Sequence, residues 1–300
     1  MEARKVLELL GLRAQRVSII KDVPRGNANW LVRTASGRRL VLRRYHAWTT
    51  RADLAFEYAV LGHLAGAGWV VPAPVGEPVS WQGCWYCLTR FVPGKAAIAE
   101  DAVQRGRRGR DLARLHLALR GLDAQIGQRP GWRAQHLGVT VRAANNWQEC
   151  VSGLAAVSQR HADWAQAAAT QVRNSLAAAG AEDLPLLVVH GDFAEWNVHY
   201  RRRLLAGVID FGLSHVDTRP YELAIARTYR APEVTGAYRA ELARRGWPLT
   251  ELELAAMAPV YHAFRVGMAA AEMEEGQTTG SYDLARIERQ LSMTGTAAPW

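Results

Sequence analysis

A chain of 300 residues with 49% hydrophobic content is long enough for a sizeable core and one or two domains, and 37 basic against 28 acidic side chains give it a formal net charge of +9. No run of roughly eighteen apolar residues occurs, which argues against a membrane-spanning helix. Three cysteines are too few for a disulfide framework and point to the cytoplasm.

Residues 1–12 read as a mixed charged helix rather than a secretory signal. Residues 24–34 fit a strand, a turn and a second strand, Ser36-Gly37 makes the next turn, and residues 39–45 make the following strand. On that strand Arg43 and Arg44 point to opposite faces, which leaves Arg44 for solvent. Residues 51–65 are predicted as a helix, because Leu54, Ala55, Tyr58, Leu61 and Leu64 recur at helical spacing. Glu57 lies on it beside Tyr58. Residues 70–75 read as extended, and 81–91 as two strands around a turn at Gly83. Residues 107–119 carry Leu112, Leu115, His116 and Leu119 on one stripe, so His116 reads as a buried structural histidine. Further helices are expected over 162–179, 221–229 and 252–274.

Residues 186–189 form an apolar run leading into His190-Gly191-Asp192-Phe193-Ala194-Glu195-Trp196-Asn197. A second run, 204–209, leads into Asp210-Phe211-Gly212. With the polar stretch 200–203 between them, the two runs read as a hairpin carrying functional residues just outside its strands. Either triplet alone is often only a turn, since Gly and Asp favour such positions. Together they supply two carboxylates and a carboxamide in the order that metal-assisted phosphoryl transfer uses. One carboxylate orients and deprotonates a hydroxyl, and the other oxygen ligands hold the magnesium that neutralises the phosphates. Asp192 is the candidate base, and Asn197 and Asp210 are the candidate metal ligands.

These residues resemble the motifs of the aminoglycoside phosphotransferase and choline kinase-like family, and residues 27–32 and the strand residues 41–43 are similar to its homoserine kinase-like members as well. The family's His-Gly-Asp-(four residues)-Asn motif matches His190, Gly191, Asp192 and Asn197, and its Ile-Asp-Phe/Trp-Gly/Glu motif matches Ile209, Asp210, Phe211 and Gly212. Protein kinases usually carry arginine where Gly191 stands, so the resemblance is to the small-molecule branch. It implies an α+β, bilobal protein-kinase-like fold with a β-rich nucleotide lobe over 1–90, a hinge at 91–94 and a mainly helical catalytic and substrate-binding lobe over 95–300. It implies that the turn holding Gly26 and Asn27 covers the phosphates of ATP and that Arg43 reaches the α- and β-phosphates, with Glu57 as its helix partner. Hinge backbone groups would bond the adenine edge, with Phe91 and Val92 near the base. Arginine at 43 departs from the lysine of protein kinases, but its planar fork can grip phosphate oxygens in a bidentate way. Glu222-Leu223-Ala224 stands where relatives often carry Asp-Leu-Ala, and His190 is expected to support the loop. The implied function is transfer of the γ-phosphoryl of ATP, with Mg2+, to a hydroxyl of a small molecule: an aminoglycoside or other antibiotic, or an amino alcohol such as homoserine or choline. An atypical protein kinase and a catalytically silent nucleotide-binding regulatory module are the alternatives, and the intact Asp192, Asn197 and Asp210 oppose silence.

Cys84 and Cys87 fall on a predicted strand, where positions three apart face opposite sides, so they read as buried thiols rather than half a zinc site. The runs 105–110 and 201–203 are the densest basic patches. No nucleic-acid motif or interleaved aromatic accompanies them, so nucleic acid is not an expected partner. Glu272, Glu274 and Glu275 form an acidic cluster with two open readings: a solvated helix end or, by the resemblance, a contact for an amine-bearing acceptor.

Overall fold

The computed structural model describes residues 2–22, 27–98, 101–132, 134, 147–226 and 232–298. Strands β1 (Ala14–Asp22), β2 (Ala28–Thr34), β3 (Arg39–Arg44), β4 (Val79–Trp81) and β5 (Cys84–Arg90) form an antiparallel sheet in the order β1-β2-β3-β5-β4. Burial alternates along β2, as the two-residue period of a strand requires. Its inward residues Trp30 and Val32 join Leu40, Leu42 and Leu88 against Val6 and Leu7 of helix α1 (Glu2–Leu9). Arg44 shares the face of Leu40 and Leu42, the face that α1 covers. It therefore pairs with Glu2 at 3.0 Å with only 18% of its side chain exposed, instead of standing in solvent as expected. The turn residues Pro24, Arg25 and Gly26 lie outside the described residues. Residues 70–75 form no strand and contribute a single bridge, Pro74 to Thr89.

Helix α2 (Arg51–Gly66) begins at a capping box in which Thr50 and Asp53 satisfy each other's backbone N–H. Its Phe56, Val60, Leu61 and Leu64 are buried in a core shared with the mainly helical remainder. That remainder comprises α3 (Ala102–Leu119), α4 (Asp123–Ile126), α5 (Trp147–Val157), α6 (Gln159–Ala178), α7 (Arg219–Ala226), α8 (Pro232–Arg244), α9 (Glu251–Thr279) and α10 (Leu284–Leu291). The α+β, protein-kinase-like class is the one expected. Of the helix predicted over 221–229, residues 227–229 lie outside the described residues.

Two small sheets carry the motif loops, and their pairing corrects the expected hairpin. Strand β7 (Leu186–Val189) pairs with β10 (His215–Thr218), not with β9 (Leu204–Val208). β9 pairs instead with β8 (Val198–Arg201), which also borders β6 (Lys95–Ala96). The tight turn is made by Arg202 and Arg203 alone, both at positive φ. β10 escaped notice because His215-Val216-Asp217-Thr218 has no continuous apolar run, although all four residues are buried.

Among the described residues no helix is long and apolar enough to cross a membrane. Cys87 is buried and Cys84 half-buried, and the three cysteines are free thiols. The basic run 105–110 is split by the helical turn. Arg108 is 2% exposed and pairs with Glu195 at 2.6 Å, while Arg105 reaches Glu233 at 2.8 Å.

Candidate active site

The loop that follows β7 is held by backbone contacts that dictate its residue types. His190 is fully buried; its Nδ1 accepts the Asp192 N–H at 3.2 Å, so Nε2 carries the proton and donates to the Ile209 carbonyl at 2.9 Å. Burial lowers the His190 pKa, which keeps the ring neutral. This ring ties the first motif to the second. Gly191 adopts φ +82°, and a Cβ there would lie 2.0 Å from the Leu213 carbonyl oxygen. Only glycine fits both the conformation and the approach.

Glu222 of α7, also fully buried, accepts the N–H groups of His190 at 2.5 Å, Gly191 at 3.1 Å and Phe193 at 3.3 Å. Burial alone would push this carboxyl upward. The His116 contact and the inward N–H groups outweigh that and hold it below its ordinary value. His116 is itself fully buried, 2.6 Å from the Tyr238 hydroxyl. The sequence marked Glu222 only as a variant motif position; its role as a clamp on the loop backbone follows from β7 and α7 lying side by side.

Asp192 Oδ2 accepts from Asn197 Nδ2 at 2.8 Å and from Trp196 Nε1 at 3.3 Å, and Asn197 Nδ2 also reaches the Asp192 carbonyl at 2.9 Å. Burial, and then the charge of Asp210, push the Asp192 carboxyl up to about 7. Asp210 sits at φ +65°, a conformation that non-glycine residues adopt at a cost and that clusters at functional sites. Its Oδ1 lies 2.7 Å from Arg43 Nη2. Burial disfavours the Arg43 charge, but Asp210, Tyr45 and Glu57 together hold the guanidinium above its ordinary pKa.

Glu57 is 3% exposed and does not bond Arg43 directly: Oε1 accepts from the Tyr45 hydroxyl at 3.1 Å, and Oε2 is buried without a partner. The Arg43 guanidinium lies 4.7 Å over the Tyr45 ring, so Tyr45 stands between the two charges. The direct brace expected from the sequence is replaced by this three-residue stack. Asn27 Oδ1 accepts the His46 N–H at 3.2 Å and thereby pins the start of β2. Phe91 carries the Arg39 guanidinium 4.2 Å over its ring, and Val92 is buried against Gly207. Of the acidic cluster, Glu272 and Glu275 turn toward Arg286 of α10, at 3.2 and 3.7 Å.

Glu274 instead lines a cavity of about 620 Å3 that opens on Asp192. Its walls include Trp48, Trp132, Trp196, Tyr221 and Phe264. Sequence reasoning also missed Arg129, which is 2% exposed beneath this cavity. Arg129 Nε donates to Asp53 at 2.7 Å, and Nη1 donates to the carbonyls of Gly212 at 2.8 Å and Ser214 at 3.1 Å. It thus joins the start of α2 to the segment after Asp210. No periodicity marks Arg129, because it lies in a loop.

Oxygen donors suit a hard divalent cation. Asn197 spends its Nδ2 on Asp192, which leaves Oδ1 available, and the Asp210 side chain is 40% exposed. Asn197 Oδ1 and the Asp210 carboxylate are the oxygens that would hold a magnesium ion here.

A model of the phosphotransferase enzyme family matches residues 20–259. The homoserine kinase of Xanthobacter autotrophicus is 28% identical over 223 residues, covering 71% of this chain and 64% of that protein. The homoserine kinase of Azorhizobium caulinodans is 29% identical over 236 residues, covering 73% and 65%. The chain therefore spans just under two thirds of the length of these curated relatives. The homoserine kinase of Phenylobacterium zucineum is 25% identical over 295 residues, covering 90% and 85%. Among solved structures, the amicoumacin kinase hAmiN in complex with AMP-PNP, Ca2+ and Ami superposes with a TM-score of 0.71 at 13% identity, covering 99% of this chain and 95% of that one. A thermostable mutant of aminoglycoside phosphotransferase APH(4)-Ia, in ternary complex with ADP and hygromycin B, gives 0.69 at 17% identity and covers 99% of both chains. At these identities the structures establish the shared fold.

Proposed function

Because the chain belongs to the phosphotransferase enzyme family, we propose that it transfers the γ-phosphoryl of ATP to a hydroxyl of a small molecule, with magnesium, in the cytoplasm. The observation that carries this reading is Asp192, which lines an acceptor-sized cavity while Asn197 holds its carboxylate and the charge of Asp210 acts on it. Residues 1–90 would hold the nucleotide, 91–94 would be the hinge and 95–300 would hold the acceptor. An antibiotic or an amino alcohol is the acceptor class; an antibiotic acceptor would make the protein a resistance enzyme.

Asp192 holds Oδ2 against Asn197 and Trp196 and so presents Oδ1 to the acceptor hydroxyl. It orients that hydroxyl and takes its proton late, when bond breaking at phosphorus has made the oxygen more acidic. Magnesium bound by Asn197 Oδ1 and Asp210 would neutralise the phosphate charge. Arg43 would turn from Asp210 to the phosphates, with the Tyr45 ring and Glu57 fixing its direction. The aromatic wall excludes water that would otherwise compete as nucleophile.

The test is ADP formation with magnesium across aminoglycosides, other antibiotics, amino alcohols and sugars. Acceptor-stimulated turnover supports the reading; tight nucleotide binding without stimulation by any compound counts against it. Asp210→Ala is expected to weaken Mg·AMP-PNP binding by roughly 10–100-fold or more, while metal-free nucleotide binding holds or tightens because Arg43 is released. Unchanged affinity with magnesium present would remove Asp210 from the metal site.

Proton linkage gives a further prediction. With its carboxyl near 7, Asp192 is about half protonated in the metal-free protein at neutral pH. Cations arriving at Asn197 and Asp210 lower that value, so the proton leaves. Calorimetry in buffers of different ionisation enthalpy should then show up to roughly half a proton released at pH near 7, less at higher pH, and none in Asp192→Asn. Buffer-independent heats for the wild type would contradict it.

A further inference from the structure

The acceptor cavity has a composition of its own. Its wall is a continuous ladder of rings: Trp132 and His215 centroids lie 5.3 Å apart, His215 and Tyr221 5.6 Å, Tyr221 and Phe264 6.1 Å. Such a surface takes flat apolar groups. Its volume of about 620 Å3 suits a drug-sized molecule far better than a four-carbon amino acid. Among the described residues the lining contains no lysine or arginine to receive a carboxylate. His215 cannot do so, since Nδ1 faces the Leu213 carbonyl at 2.8 Å and Nε2 faces Asp217 at 3.1 Å.

The acidic groups divide just as clearly. Asp53 is consumed by Thr50, Arg129 and Trp132. Asp192 faces the reacting hydroxyl. Glu274, on the wall formed by Phe264, Met268 and Ala271 of α9, has a carboxylate that bonds no described residue. It stands ten residues beyond Phe264, which is about 15 Å along the helix. Against the described lining, a polycationic sugar would find Glu274 as its one carboxylate beyond Asp192 and the consumed Asp53, whereas a single ammonium is matched, with ring faces adding cation–π attraction.

Resting on the phosphotransferase reading, we infer that the acceptor is an amphiphilic monoamino alcohol. Its flat apolar body packs on the Trp132–Tyr221–Phe264 wall, its one ammonium meets Glu274 and its hydroxyl meets Asp192. Glu274 is then a specificity-determining residue.

The probes are propranolol, which joins a naphthyl body, a hydroxyl and one amine, and its glycol analogue, in which a hydroxyl replaces the amine. Binding is measured by calorimetry on the full chain with Mg·AMP-PNP present. The amine should bind roughly tenfold tighter than the glycol, the size of one partly exposed charge-assisted contact. Glu274→Gln should close that gap, while Trp132→Leu should weaken both probes together and leave the gap open. L-homoserine and kanamycin should not displace the amine. Equal binding of amine and glycol, a gap that survives Glu274→Gln, or displacement by L-homoserine would each overturn the inference. ADP release separates the two levels. If the binding pattern holds but no alcohol supports turnover, the ligand class stands and the phosphotransferase reading falls. If homoserine or kanamycin supports turnover while propranolol does not bind, the reading stands and the ligand class falls.

Discussion

Asp192→Ala is expected to lower acceptor-dependent turnover by roughly 10²–10⁴-fold, the usual contribution of a positioned general base, with nucleotide affinity kept within about threefold by the same reasoning on separable sites. The carboxylate is the group that both faces the cavity and is held by Asn197 and Trp196. Its loss removes hydroxyl orientation and proton acceptance together. The fold should survive. Asn197 Nδ2 retains the residue-192 carbonyl, and losing the carboxylate's two hydrogen bonds is offset by removing a desolvated carboxyl repelled by Asp210. Melting temperature, Mg·AMP-PNP affinity and ADP formation would be read in parallel. A wild-type rate would sink the assignment of the base; a collapsed melting transition would mean that Asp192 is structural first.

Gly191→Ala is expected to cost about 2–4 kcal/mol in stability, from left-handed strain plus a backbone clash. The new Cβ would be placed 2.0 Å from the Leu213 carbonyl oxygen, and a carbonyl cannot swing aside as a side chain can. Relief requires the loop 190–192 to separate from 213, which also loosens the Glu222 clamp on the same backbone. A displacement of Asp192 near 1 Å is worth about 10²-fold in rate, so turnover should fall even where the chain stays folded. Chemical denaturation and ADP formation check the two effects separately. Unchanged values for both would show that the loop does not approach Leu213 as closely as the structure has it.

Much of the site was legible because phosphoryl transfer demands particular atoms at short chain separation. Asp192 and Asn197 are brought together by a single turn, and Asp210 follows the next hairpin, so their order survives in any fold that keeps those turns. His116 was legible as a core residue for a similar local reason, the helical stripe it shares with Leu112, Leu115 and Leu119. Arg44 misled because strand alternation predicts which face a residue takes but not what covers that face, and α1 supplies Glu2 from 42 residues away in the chain. Arg43 and Glu57 show the same limit at closer range: the half-buried guanidinium and the buried carboxylate lie near each other, yet Tyr45 takes the carboxylate and Asp210 takes the guanidinium.

The sequence by itself determined the order and spacing of the candidate reacting groups and the helix stripes, because motif spacing and hydrophobic period are local properties of the chain, and the motifs' resemblance to a known family implied the α+β class. Tertiary structure alone decided that β7 pairs with β10, that Glu222 and Arg129 hold the motif loops, and that Glu274 rather than Glu272 or Glu275 faces the cavity. Those facts depend on backbone partners and helix rotation set by contacts between elements dozens of residues apart, and no local pattern encodes them.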